Sequence, residues 1–349
     1  MIQKATKRRL LARLMRLFWG RLLEKPAFQG NLNRIVILAQ EKLGDAILLT
    51  PLIKQLRQAN PKLEIHLVAV RAAADFFQHD KNIDVLHRPK SGLMNFIFSV
   101  RKFEFDVLFN TKDHPSWTFM MYSILIPARY KIAVFHDYHR GFYHHLLDVP
   151  FESHVVRKNC AVLPYLKIPA SDEACRPYLP DAPISEEIQQ FAESFVGKKV
   201  IGINLSAGEP SREWPLEKWS QLLALLPLPT IIFSMPDRFS EKESLEKAHP
   251  HVLKTPRTKS LFDAAVLIKK LSLLITPDTS FIHVASCSQT PVVGLYRADV
   301  IHHTRFAPYQ LPNIQVISKT SLVHDISVVD VQTAAEKMLQ VDLRKGFSA

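Results

Sequence analysis

From Asn33 onward the chain alternates short, nearly continuous apolar runs with stretches of helical periodicity, and no other feature narrows its fold as much. "RIVILAQ" (34–40) reads as a buried strand, "DAILLTPLIKQLRQAN" (45–60) as one helix, and "EIHLVAV" (64–70) as the next strand. A short helix "AAADFFQHD", a strand "IDVLHRP", a helix "LMNFIFSVRKF" and a strand "FDVLFNTK" (105–112) follow. Strands separated by helices need crossover connections, which are right-handed and make the sheet parallel. A second series opens at "KKVIGINLSAG", with strands expected at 200–205, 230–234, 251–253, 273–276, 292–296 and 314–317. Its helices are expected at 216–226, 240–248, 260–270 and 281–288, and a final helix at 331–339. Between the two series "PYLKIPASDEACRPYLPDAPISEE" is rich in proline and lacks sheet periodicity, as a linker would. The expected class is therefore α/β, with two Rossmann-like domains facing across a cleft. Its boundaries are a basic N-terminal helix at 1–32, a first domain at 33–170, a linker at 171–198, a second domain at 199–330, and a C-terminal helix and tail at 331–349. Ligands in such folds sit beyond the carboxyl ends of the strands.

Composition removes several classes of function. A chain of 349 residues that is 47% hydrophobic and 22% charged can build two cores and is not a disordered one. Its three cysteines (Cys160, Cys175, Cys287) are far apart and form no CxxC pair, so neither a disulfide framework nor a cysteine-zinc site is expected. No apolar run reaches membrane-spanning length, and no secretory signal pattern opens the chain. The net charge of +12 is unevenly spread, since residues 1–25 hold eight bases against Glu24 alone. On a helical wheel Leu10, Leu11, Leu14, Leu17, Phe18 and Leu22 share one arc and Arg9, Arg13 and Arg16 lie opposite. That pattern suits a helix lying on an anionic membrane, and it also suits a helix docked on its own protein. No nucleic-acid recognition motif accompanies the bases. The fifteen histidines, His144-His145 and His302-His303 among them, lack partners at ligand spacing, so no metal is expected.

Three constellations carry candidate chemistry. In "AQEKLGDAILLTP" a strand ends, Gly44 permits a tight turn, and Asp45 opens a helix either as its N-cap or as a catalytic carboxylate. In "NLSAGEPSREWPLEKW" small residues including Ser206 and Ser211 precede Arg212, a pattern open to an anionic phosphate and equally to a plain surface loop. In "LLITPDTSFIHVASCSQTPVVGLY" Asp278 or Thr279 can cap a helix whose free amides would stabilise a pyrophosphate, with His283 in the first turn. A capping residue and a core histidine would account for the same letters.

Taken in order, "GDAILLTP", "SREWP" and "PDTSFIHVASCSQTPVVGLY" resemble the ADP-heptose:lipopolysaccharide heptosyltransferases of glycosyltransferase family 9, over about residues 33–340. The resemblance implies a GT-B fold, an ADP-heptose donor held mainly by the C-terminal domain, and a lipopolysaccharide core acceptor held mainly by the N-terminal one. It also implies inversion at the anomeric carbon, with no metal and no cofactor. Asp45 then matches the general base, with Lys42 and Gly44 in the acceptor-side loop. Arg212 matches a basic residue, usually lysine, on the donor phosphate, where Ser206, Thr279 and Ser280 join it. Asp278 and His283 match the rest of the donor loop, and Ser234 and Met235 fall where the nucleobase is met. Ser280 stands where the family has glycine, and Phe281 where it has proline. A peripheral location on the inner face of the bacterial inner membrane, through residues 4–25, agrees with a lipid-linked acceptor, and nucleic acid is not an expected partner. The rivals are a transferase of this fold with another nucleotide-sugar or acceptor, a non-catalytic nucleotide-sugar-binding module, and a nicotinamide oxidoreductase, for which GxGxxG is missing.

Overall fold

The computed structural model describes residues 25–340 apart from 27, 90 and 91. Of the basic amphipathic helix expected over residues 1–32, residues 1–24 and 27 lie outside the described residues, and residues 25, 26 and 28–32 are not helical. The chain divides into two compact units, 1–181 and 182–349.

The first unit is built on six strands, β1 (Arg34–Leu38), β2 (Glu64–Val68), β3 (Val85–His87), β4 (Phe105–Asn110), β5 (Ala128–Val134) and β6 (His145–Leu147). They lie in the order β3-β2-β1-β4-β5-β6, and every pair is parallel. Ile35 stands beside Ile65 on one side and Val107 on the other, all three fully buried. Helices cover both faces of such a sheet, which is why its central strands are apolar without alternation. The order reverses between β1 and β4, and the carboxyl ends of those two strands form the switch point where doubly wound sheets bind ligands.

The second unit carries β7 (Ile201–Asn204), β8 (Thr230–Phe233), β9 (Leu273–Pro277), β10 (Val292–Tyr296) and β11 (Asn313–Ile317), in the order β11-β10-β9-β7-β8 and again parallel. Val252 makes a single parallel bridge to Thr230 at the β8 edge. The strand expected at 251–253 is thus reduced to one residue, and with it the strand order matches that of the first unit. Here the switch point falls between β7 and β9. Trp214 and Trp219, the latter on the helix Leu216–Leu225, pack edge to face at 4.7 Å in the core, and Trp214 Nε1 donates to the Ile326 carbonyl at 3.0 Å.

The helix expected over 45–60 is two, Leu43–Ile47 and Thr50–Ala59. Pro51 explains the break: it has no amide to donate, and inside a helix its ring would strike the Ile47 carbonyl. That carbonyl accepts instead from Thr50 Oγ1 at 2.7 Å. Gly44 sits within the first helix, without a positive φ, rather than in a turn before it. Lys42 is the N-cap and Asp45 is the third helical residue, so the capping reading of Asp45 is set aside. The proline-rich segment is stitched down at both ends. Tyr178 donates its amide to Thr50 Oγ1 at 3.0 Å and its hydroxyl to Asp80 at 2.6 Å, while Ser185 donates its amide to Asp263 at 3.0 Å.

Candidate active site

In the first unit the helix bearing Asp45 starts just beyond the end of β1, and β4 delivers Thr111, Lys112 and Asp113 beside it. Thr111 Oγ1 donates to the Leu38 carbonyl at 2.7 Å, which ties the two strand ends together. Below them Lys158 and Asp113 form an ion pair at 2.6 Å, with side chains only 3% and 4% exposed. Lys112 is held by Gln40, whose Oε1 accepts from its ammonium at 3.2 Å, and by the Phe119 ring 5.2 Å away. The Asp45 carboxyl is half-buried and has no hydrogen-bond partner among the described residues. Burial raises its pKa above the ordinary carboxylate value, against the pull of Lys112 and then Lys42. Burial likewise lowers the pKa of Lys112, against the pull of Asp45, Glu41 and Asp113. A carboxylate with raised proton affinity and uncommitted lone pairs has the properties of a general base. Lys42, the exposed N-cap, and Gly44 flank it.

Over the ends of β1 and β2 lies a cavity of about 300 Å³, lined among others by Leu38, Glu41, Val70, Arg71, Phe119 and Tyr122. Arg71 takes φ +52°, in the left-handed region that β-carbon sterics disfavour, and its guanidinium lies 3.4 Å from Glu41. Strain of this kind costs about 1–3 kcal/mol and gathers at functional sites. None of Glu41, Arg71 or Lys112 was singled out from sequence. The strand order could have pointed to Lys112, because whatever follows the fourth strand of this topology adjoins whatever follows the first.

In the second unit three loops meet at the switch point. Asn204 ends β7 and gathers them: the two hydrogens of its Nδ2 are shared among Thr276 Oγ1 at 3.0 Å, the Ser206 carbonyl at 3.1 Å and Thr279 Oγ1 at 3.3 Å. Ser206 Oγ accepts from the Met235 amide at 2.7 Å, which brings in the loop after β8. Arg212 reaches across to the loop after β9, donating to the Asp278 carbonyl at 3.0 Å and pairing with its carboxylate at 3.3 Å. Burial raises the Asp278 pKa, and Arg212 is the first charge opposing that rise. Thr279, not Asp278, caps the helix Ser280–Ser288, accepting from the Phe281 amide at 3.3 Å. The amides of Thr279 and Ser280 have no acceptor among the described residues. A helix end of this kind favours an anion.

The two departures from the family pattern have local explanations. Ser280 has no positive φ, so its position does not require glycine. Phe281 supplies an amide that proline lacks, Thr279 uses it, and the ring packs edge to face on Phe233 at 5.2 Å. Ser206, Met235 and Thr279 thus belong to one hydrogen-bonded set around Asn204, and the Arg212–Asp278 pair adjoins it through the chain link from Asp278 to Thr279, with Ser280 at the edge. His283 lies deeper, 3% exposed, with Phe306 6.3 Å away. Ser234 stands outside the set; its Oγ is buried with no partner among the described residues, while Met235 is exposed. Among the described residues no three His, Cys, Asp or Glu side chains are grouped to hold a metal ion.

Two doubly wound parallel units, each with its polar loops at the switch point, are the architecture of the GT-B fold. A crystal structure described as a glycosyl transferase family 9 protein from Veillonella parvula superposes with a TM-score of 0.72 at 23% identity, covering 90% of this chain and 99% of that one. The heptosyltransferase WaaC of E. coli, solved with ADP-2-deoxy-2-fluoro heptose, gives a TM-score of 0.66 at 14% identity, covering 87% and 99%. In sequence, the lipopolysaccharide core heptosyltransferase OpsX of Haemophilus influenzae is 23% identical over 81% of this chain and 84% of its own length. Residues 93–334 match glycosyltransferase family 9 (heptosyltransferase), and the chain belongs to that family.

Proposed function

We propose that this chain transfers a heptose from ADP-heptose to a hydroxyl of the lipopolysaccharide core, with inversion at the anomeric carbon and without a metal ion. One observation carries the reading: an unbonded, half-buried carboxylate lies in the helix that follows β1 of the first unit, and an arginine with a free helix end marks the switch point of the second. Asp45 takes the proton of the acceptor hydroxyl as that oxygen attacks the anomeric carbon from the side opposite the leaving diphosphate. Arg212 and the amides of Thr279 and Ser280 receive the charge that develops on the departing ADP. The first unit is the acceptor domain and the second the donor domain. The relatives support both substrates, since one is a lipopolysaccharide core heptosyltransferase and another was solved with an ADP-heptose analogue. Incubation with ADP-heptose and a heptose-free lipopolysaccharide core should release ADP and add the mass of one heptose to the acceptor. Donor hydrolysis without transfer, or no reaction, would sink the proposal.

In this reading the cavity over the ends of β1 and β2 receives the acceptor sugar, with Glu41 and Arg71 at its polar side. Arg71→Gly removes the guanidinium and relaxes the backbone. The thermal midpoint should hold or rise, and the acceptor KM should increase about tenfold, the loss of one charge-assisted contact. Calorimetry should find ADP affinity unchanged; a lower ADP affinity with normal acceptor KM would place Arg71 elsewhere in the reaction.

No helix among the described residues is long and apolar enough to cross a membrane. In our reading residues 4–25 lie on the anionic inner face of the inner membrane, where each nearby base contributes about 1 kcal/mol. Deletion of residues 1–28 should release the protein from anionic vesicles in a flotation assay, and retention would refute the anchor.

A further inference from the structure

We infer that Arg297 is a second phosphate-binding arginine of the donor half-site, and that Glu209 is a displaceable carboxylate occupying the anion seat between Arg297 and Arg212. The inference rests on the reading of this half-site as the donor's.

β10 lies beside β9, so Arg297, the residue after β10, emerges next to the loop that carries Asp278. Its Nη1 donates to Ser211 Oγ at 3.1 Å, and its Nη2 lies 3.4 Å from Asp299. Asp299 is itself fixed, accepting from the Ile301 amide at 3.0 Å and lying 2.7 Å from His302 Nδ1. Arg212 is fixed in the same manner by Asp278. Each guanidinium therefore has one anchored carboxylate of its own.

Glu209 differs from both anchors. One of its oxygens lies 3.7 Å from Arg212 Nη2 and the other 3.7 Å from Arg297 Nη1. Both separations exceed hydrogen-bond length, so the attraction is Coulombic and undirected. The side chain is 45% exposed, against 8% for Asp278, and it follows exposed Gly208. The Nε atoms of both arginines are buried with no partner among the described residues. Two guanidinium forks are thus bridged by a single loosely held carboxylate, with donor capacity to spare.

A diphosphate suits that seat better than a carboxylate does. It carries more charge, and its two phosphoryl groups can each engage one planar fork with two oxygens. Glu209 cannot remain beside it, because like charges at this separation repel, and its exposure gives it a way out. In the empty site Glu209 neutralises two neighbouring cations. In the loaded site its removal is a cost subtracted from donor affinity.

Calorimetric titration of the full-length protein with ADP and with AMP tests this. Glu209→Gln keeps the shape and removes the competing charge, so ADP should bind about fivefold tighter or more, the value of one unit charge near 4 Å in water. Arg297→Ala should weaken ADP about tenfold or more and weaken AMP less, with Arg297→Lys between them because it keeps the charge and loses the fork. ADP affinity lost in Arg212→Ala but unchanged in Glu209→Gln and Arg297→Ala would overturn this inference and leave the donor reading standing. Failure of the unaltered protein to bind ADP would remove both.

Discussion

Asp45→Asn is expected to lower the transfer rate about a hundredfold to ten-thousandfold, the usual value of a positioned general base, with ADP affinity unchanged. Asparagine keeps the volume and one acceptor oxygen, so the helix at Leu43–Ile47 and the Lys112 loop have no reason to move. What is lost is the ability to take a proton. Because burial holds the Asp45 pKa above the ordinary carboxylate value, the acid limb of kcat/KM in the unaltered enzyme should fall at higher pH than a solvated aspartate would give. The same shift fixes the sign of a stability effect. Between the unfolded and the native pKa the native state binds more protons at this site, so stability falls as pH rises through that window and stays lower above it. The neutral amide of Asp45→Asn carries no such penalty. The variant should therefore melt at higher temperature than the parent near neutral pH, and the gap should close as pH drops below the unfolded carboxylate range. Equal losses of ADP binding and of rate would sink the role of Asp45.

Periodicity exposed most of the architecture, because a strand buried on both faces of a parallel sheet has to be continuously apolar, as β1 and β9 are. It gave less between residues 113 and 168, where β5 is half-exposed along "ARYK" and β6 has three residues. The helix at Val300–Arg305 was missed for a similar reason, since six residues are too few to show a period. Within the candidate site, the residues legible in sequence were those in local motifs around strand ends. Lys112, Glu209, Arg297 and Asn204 were not assigned roles, since each acts on a loop from a different strand and only the strand order makes them neighbours. The reading of Asp45 as a cap failed at a distance of three residues. N-caps are placed by where the helix starts, and a chain that can begin its helix at Leu43 leaves Asp45 inside the first turn.

Arg212→Ala should be the most damaging change in the donor half-site, weakening ADP by about 2–5 kcal/mol, from about thirtyfold to several thousandfold. Part of that loss is a missing phosphate ligand and part is the carboxylate left behind. Asp278 is buried, burial already raises its pKa, and Arg212 is the first charge holding it down. Without the guanidinium that pKa must rise further. Native Asp278 then binds its proton more tightly than the unfolded chain does, so the variant's stability deficit should be greatest near neutral pH and shrink as pH falls. Calorimetric unfolding at two pH values would read this directly. Adding Asp278→Asn to Arg212→Ala separates the two parts, because a neutral amide needs no counter-charge. The double variant should regain thermal stability while ADP affinity stays low, since the lost phosphate contact is not replaced. Recovery of both together would mean that Arg212 serves only to neutralise Asp278, and the phosphate role would then belong to the helix end and Arg297.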